Sequence, residues 1–379
     1  MNLEWSEGMR AVQEAARSLA EKELRPVVMK YDESQEFPFP IIEQLASLGF
    51  MGMTWREDLG GAGLTDCEAA VIIEELARVD PSVALTVASH NSLCSGHIML
   101  FGSEEQKRRY IPDLASGRRL GAWALTEPGS GSDSAAMKTV AERSGDDWII
   151  NGSKTFITQG SVGSTYVVMA LTGRGENNSI SAFVLEKGMP GFSVGKKENK
   201  LGMRSSDTAT LIFENVRVPG HNLLGNAGEG FKQALRVLDG GRIGIGALSV
   251  GIAQGALDAS LRYARERQQF GKQLGEFQAI QWKLADMATE ISASRLLVHK
   301  AAALKGQDKP FGLAASFAKY FASECAVRAT NEAVQIHGGY GFIKDFPVEK
   351  LYRDAKLMTI GEGTSEVQKM IIARHLVGR

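Results

Sequence analysis

The amino-acid sequence predicts an α+β multidomain protein: an N-terminal all-α domain, a middle antiparallel β-sheet or barrel domain, and a C-terminal four-helix bundle. Two changes of hydrophobic period carry that reading. Apolar residues recur at helical spacing up to about Arg118, in short strand-like runs from about Leu120 to Gly225, and at helical spacing again from about Glu229. The third observation is length: 379 residues suffice for two or three packed units. The boundaries fall at 1–119, 120–226 and 227–379.

In the first region Met9, Val12, Ala16 and Leu19 share one helix face. "FPFPIIEQLASLG" reads as a short helix after a Pro-rich entry, closed by Gly49. "DCEAAVIIEELARVDPS" and "PSVALTVASHNSLCSGHIMLFG" are apolar enough for buried helices. In the second region "GAWALTE", "DDWIING", "TYVVMALT", "SAFVLEK" and "TATLIFENVRVP" are rich in Val, Ile, Thr and aromatics, with Gly, Asn, Asp and Pro between them. No helices intervene, which argues against a parallel doubly wound sheet. In the third region three long helical stretches follow one another, with small residues that permit close packing.

Composition excludes several functions. A formal net charge of −1 argues against nucleic-acid binding, where basic surface supplies most of the affinity. Cys67, Cys94 and Cys325 are odd in number and widely spaced, which suits a reducing compartment and no disulfide framework. No presequence or membrane span of roughly 18 apolar residues is read, so the expectation is a cytoplasmic protein with no membrane partner. Fingerprints of nicotinamide, ATP and acyl-serine chemistry are missing: there is no Gly-x-Gly-x-x-Gly/Ala spacing, no Walker loop and no Gly-x-Ser-x-Gly elbow. The six histidines lack ligand spacing, and no metal is expected.

Five stretches could carry chemistry, and each has a plain structural alternative. "LTEPGSGSDS" is either a β-turn or a cradle of N–H and hydroxyl donors. In "TFITQGSVG", Phe156 either stacks on a flat ring or joins the sheet core. "ARERQQFGKQLGEFQ" is either a phosphate clamp or a solvated basic loop. "QIHGGYGF" is a helix cap or a place where backbone is closely approached. In "DAKLMTIGEGTSEV", Ser365 and Gln368 fit a capping box, so a helix is expected near Glu366. Glu362 then stands in the turn before it, either as an exposed acid or as a base whose proton affinity burial has raised.

Together "LTEPGSGSD", the Arg267–Gln278 stretch, "QIHGGYG", "RDAK" and "EGTSEVQ" resemble, in order and spacing over nearly the whole chain, the FAD-dependent acyl-CoA dehydrogenase family, of the short-chain or short/branched-chain type. The resemblance implies FAD, with Trp123, Leu125, Thr126, Gly131 and Ser132 along the flavin and its phosphates and Phe156 and Thr158 against the ring. It implies that Arg267, Phe270, Leu274 and Gln278 come from a neighbouring subunit of a homotetramer, with Gln335, Gly338 and Gly339 beside them. Thr364 and Glu366 would also touch the cofactor. Ser132, Asp239, Arg242, Gly361 and Gly363 would follow the substrate, Asp239 and Arg242 near its CoA arm. The implied reaction is dehydrogenation of a short or branched acyl-CoA to the 2-enoyl-CoA. Glu362 takes the α proton, hydride passes to flavin N5, and electrons go on to an electron-transfer flavoprotein. An oxidase using oxygen and a non-catalytic flavin-binding relative are the alternatives. Many members carry an aromatic before the base; here Gly361 stands there, which implies a wider pocket. The position on the long helix where some relatives place their base is Gly241.

Overall fold

The computed structural model describes residues 5–173 and 179–378. The first region folds as helices α1 (Glu7–Leu19), α2 (Val28–Ser34), α3 (Phe39–Ser47), α4 (Asp66–Ala77), α5 (Pro81–Ser89), α6 (Gly96–Phe101) and α7 (Glu104–Ala115). Local chemistry fixes their starts. Thr65 and Glu68 form a reciprocal capping box on α4, and Ser103 and Gln106 form another on α7. Pro81 opens α5, where Asp80 accepts from the Ser82 N–H at 3.0 Å. α5 passes through a π-turn at His90–Ser95 into α6, so the apolar run "PSVALTVASHNSLCSGHIMLF" is one interrupted, buried helical segment.

The second region is an eight-stranded sheet: β1 (Gly121–Ala124), β2 (Val140–Ser144), β3 (Asp147–Thr158), β4 (Thr165–Gly173), β5 (Ser179–Glu186), β6 (Phe192–Lys197), β7 (Thr208–Val218) and β8 (Leu223–Leu224). Most pairs are antiparallel, in the order β6-β7-β3-β2-β4-β5-β8. The sheet is nonetheless mixed, because β1 and β2 both run parallel to β4, at Gly121–Ala124 and at Val140 respectively. They lie end to end along one edge of β4, and the loop Leu125–Thr139 is an excursion between them. Strands β2 and β6 carry too few apolar residues to stand out in the sequence, and β8, two leucines, is too short. β4 is buried on both faces, which explains its unbroken apolar run.

The third region is α8 (Gly230–Glu266), the hairpin β9 (Gln268–Gln269) and β10 (Lys272–Gln273), then α9 (Gln278–Gly306), α10 (Gly312–His337), α11 (Val348–Met358) and α12 (Ser365–Val377). By length and composition α8 could cross a membrane, but 78% of its apolar window is buried inside the fold. Its hydropathy comes from serving as the core helix. Gly251 and Gly255 let it approach α4 so closely that a Cβ on either would strike the Glu74 or Arg78 carbonyl. The largest apolar core accordingly joins the first and third regions, with Ile73, Leu76, Leu248, Ile252, Ala318 and Ala322 in one cluster.

A buried ionic group locks all three regions together. Lys350 on α11 donates to Asp80 at 3.0 Å and to Asp354 at 2.6 Å, and Asp354 accepts from the Met203 N–H at 2.5 Å. Asp354 of the "RDAK" motif is spent on this junction, and its neighbour Arg353 pairs with Asp32 of the first region at 2.7 Å.

Candidate active site

The segment between α11 and α12 turns sharply. The Ile360 and Gly361 N–H groups both donate to the Leu357 carbonyl at 2.9 Å, and the Ser365 N–H donates to the Thr359 carbonyl at 3.0 Å. Glu362 is forced to φ +53° and Gly363 to φ +92°. A non-glycine residue in this region costs roughly 1–3 kcal/mol, so surrounding groups must hold it there. They are Lys319 on α10, whose ammonium donates to the Gly363 carbonyl at 2.7 Å, and Gln368 on α12, whose amide reaches the Glu362 and Gly363 carbonyls at 3.3 and 3.1 Å. The predicted capping box is corrected accordingly. Thr364 is the N-cap, accepting from the Val367 N–H, while Ser365 donates to Glu324 at 2.6 Å. Gln368 is drawn inward because the turn's carbonyls would otherwise be buried without donors.

Glu362 as a whole is half-buried, but its Oε2 is sealed from solvent and finds no hydrogen-bond partner. The carboxyl lies over Gly241 of α8. A Cβ built there would stand 2.9 Å from Glu362 Cδ and closer still to Oε2. Glu362 thus fills the space that a side chain at position 241 would need. Burial raises its pKa to about 7, against the opposing pull of Arg242 and then Lys319. Arg242 is itself buried and pairs with Asp239 one turn earlier at 2.6 Å, leaving its Nε without a partner. Burial pushes the Arg242 pKa down, with Asp239 and Glu362 acting the other way. A Cβ at Gly361 would make only ordinary van der Waals contact, with Leu357 at 3.6–3.9 Å.

The glycine- and hydroxyl-rich loop is held from beneath. Lys154 of β3 is wholly buried; it donates to Glu127 at 2.8 Å and to the Leu125 carbonyl at 3.0 Å. Glu127 also accepts from the Lys138 and Thr139 N–H groups at 2.6 and 2.9 Å. Both ends of the loop are therefore stapled, while Gly131 and Ser132 stay exposed at its crest and Thr126 and Trp123 are half-buried beside it. Trp123 donates to His97 at 3.0 Å. Lys154→Met should strand a buried carboxylate and cost about 3–5 kcal/mol in urea unfolding. The purified variant should carry much less flavin than wild type.

Phe156 is not sheet core. A β-bulge between Lys154 and Ile157 throws it outward at φ +56° and 66% exposed. An aromatic held in a strained conformation in solvent is a platform waiting for a flat partner. Thr158, half-buried, follows it on the same strand. Contacts run from here to the base. The next residue, Gln159, bonds Thr86 and Ser89 of α5; α5 in turn carries Ala88 against Gly244 of α8, one turn from Gly241. α5 therefore underlies both groups.

The remaining expected residues lie elsewhere. Arg267, Leu274, Gly338 and Gly339 line a cavity of ≈ 550 Å³ at the far end of α8, with Tyr263 and His337. Phe270, 95% exposed, tips the β9–β10 hairpin, where it and Gly271 both take positive φ. Gln278 and Gln335 are exposed nearby on α9 and α10. Along α8, Gly241 and Arg267 stand about 39 Å apart. Within one chain the expected residues thus form two groups: one around Glu362, Phe156 and the stapled loop, the other around Arg267. Thr364 and Glu366 belong with the first, beside the base. The sequence reading missed Lys319, Gln368 and the Lys154–Glu127 staple. Lys319 did leave a trace: a lone cation on the apolar face formed by Ala315, Ala318 and Ala322.

A carboxylate poised near neutrality, linked through α5 to a presented aromatic and a donor loop, suits removal of a weakly acidic C–H proton next to an electron acceptor, the work of a flavin dehydrogenase. Family models agree along the chain. The N-terminal, middle and C-terminal domains of acyl-CoA dehydrogenase match residues 6–118, 122–216 and 228–377. The short-chain-specific acyl-CoA dehydrogenase of Clostridium acetobutylicum is 45% identical over 96% of both chains. The solved butyryl-CoA dehydrogenase of Megasphaera elsdenii superposes with a TM-score of 0.98 at 43% identity, covering both chains fully. A chain solved in work on the electron transferring flavoprotein of Acidaminococcus fermentans gives the same TM-score at 45% identity and full coverage. The protein belongs to the acyl-CoA dehydrogenase family and is an FAD-dependent oxidoreductase. The stapled loop and the strained, outward Phe156 fit that cofactor.

Proposed function

We propose that the enzyme converts a short-chain or branched acyl-CoA to its 2-enoyl-CoA and passes the electrons to an electron-transfer flavoprotein. The observation that carries this is the Glu362 carboxyl, sealed without a partner over Gly241 and poised at about 7. When bound, FAD accepts the hydride lost from the substrate's β carbon. Glu362 removes the α proton. Among the described residues its backbone N–H has no acceptor, which leaves it free to polarise the thioester oxygen. Asp239 and Arg242 lie along the CoA arm, and Leu125, Thr126, Ser132, Phe156 and Thr158 hold the flavin. The separation along α8 supports a homotetramer in which the Arg267–Gln278 segment and Gln335–Gly339 complete a neighbour's cofactor site.

Gly361 supports a preference for short, wide acyl groups. A Cβ at Gly361 clashes with nothing, so Gly361→Tyr sets a ring beside the base and should reduce turnover of isobutyryl- or 2-methylbutyryl-CoA at least ~10-fold more than that of butyryl-CoA. Equal losses would remove the steric basis of that preference. The function is tested by anaerobic titration with a panel of acyl-CoA esters, following loss of the oxidised flavin band. Short esters should bleach it, and an added electron-transfer flavoprotein should restore it. No bleaching by any ester of six carbons or fewer would overturn the assignment.

A further inference from the structure

A buried lysine needs a reason, because desolvating an ammonium is costly unless its donors are used. Lys319 is wholly buried in α10, and only one of its three donors has an acceptor among the described residues, the Gly363 carbonyl. Two other groups in the same space lack partners, Glu362 Oε2 and Arg242 Nε. The turn that Lys319 grips is the left-handed one that aims Glu362. Gln368 shares the grip on this turn, serving both carbonyls, so hydrogen bonding to the turn does not by itself call for a charged group.

We propose that Lys319 is a positioning residue for the dehydrogenation: its ammonium clamps the Glu362–Gly363 turn and, as a fixed buried charge, keeps the Glu362 carboxylate available as a base near neutral pH. This rests on the reading of Glu362 as the α-proton base. The charged groups around the pair are few. Arg242 on α8 and Lys319 on α10 face Glu362, while Glu324 on α10 and Glu366 on α12 act on Lys319. Burial lowers Lys319 to about 8, with Glu362 the largest opposing influence, so the ammonium persists at neutral pH. Arg242 shares its charge with Asp239, whereas Lys319 has no carboxylate within bonding distance among the described residues.

The test is the pH dependence of flavin bleaching by limiting butyryl-CoA, measured anaerobically by stopped flow on flavin-loaded enzyme. This reports ionisation of the free enzyme's base. Lys319→Met should move the rising limb up by about one pH unit or more, a tenfold loss of rate below the limb. Its limiting rate at high pH should also fall several-fold, because the turn is loosened. Lys319→Gln is the safer variant for folding, since it keeps a donor for the Gly363 carbonyl but not the charge. It should move the limb as far with a smaller fall in limiting rate. Lys319→Arg should return the limb to the wild-type position. A flavin-loaded Met or Gln variant with an unmoved limb would overturn the proposal, whatever its stability. Failure of the underlying reading is separately visible: Glu362→Gln would then still bleach.

Discussion

Glu362→Gln is expected to fold, carry FAD and bleach with butyryl-CoA ~10²–10⁴-fold more slowly than wild type, the usual worth of a positioned general base. The substitution is nearly isosteric, so the grip of Lys319 and Gln368 on the neighbouring carbonyls survives it. Stability should move the other way from activity. The folded-state pKa of Glu362, about 7, lies above its ordinary 4.5, so the native state holds the proton more tightly than the unfolded chain. Stability from this residue is greatest below about 4.5 and falls as pH rises to about 7, by on the order of 1–3 kcal/mol. The neutral amide escapes that loss. Unfolding midpoints should therefore be higher for Glu362→Gln than for wild type at pH 8 and should converge near pH 4.5. Coincident curves at both pH values would mean that the carboxyl is solvated.

Gly241→Ala should cripple the enzyme while sparing the fold. An alanine in the middle of α8 gains about 1 kcal/mol of helix propensity over glycine. Its methyl group collides with little except the end of the Glu362 side chain, which can swing away at small cost. The base is then displaced by about the width of that methyl. A misplacement near 1 Å can cost on the order of 10²-fold in rate. We expect bleaching to fall by that order, with flavin content and thermal midpoint unchanged or slightly raised. Full activity in Gly241→Ala would show that the carboxyl works from another position.

The partition into helical, sheet and helical regions was legible because hydrophobic period changes twice and each change is long. The parallel placement of β1 and β2 on β4 was not, since nothing local in "GAWA" or "VAERS" encodes which way a neighbour runs. Phe156 shows the limit of propensity. The residue type suits a strand core, and only the bulge turns it outward. The helix start was read to within a residue, yet its cap was assigned to Ser365 because Ser-x-x-Gln fits a capping box as well as Thr364 fits a lone N-cap; tertiary demand for Gln368 at the turn decided between them. Glycines flanking Glu362 pointed to a close turn, and the left-handed backbone bears that out. Lys319 and Lys154 were missed for a common reason. A cation on an apolar face can mark a buried lysine, as at Lys319, but its role is legible only through the partner it meets, and both partners lie far away in sequence or on another element.

The most direct measurement of the central claim, a buried carboxyl at 362 poised as the base, is wild-type bleaching by limiting butyryl-CoA from pH 5.5 to 9, with ordinary and α-deuterated substrate. The rate should rise through a single ionisation near pH 7, with a substantial α-deuterium isotope effect. A rate flat across that range, as a solvated carboxylate ionising below it would give, would contradict it.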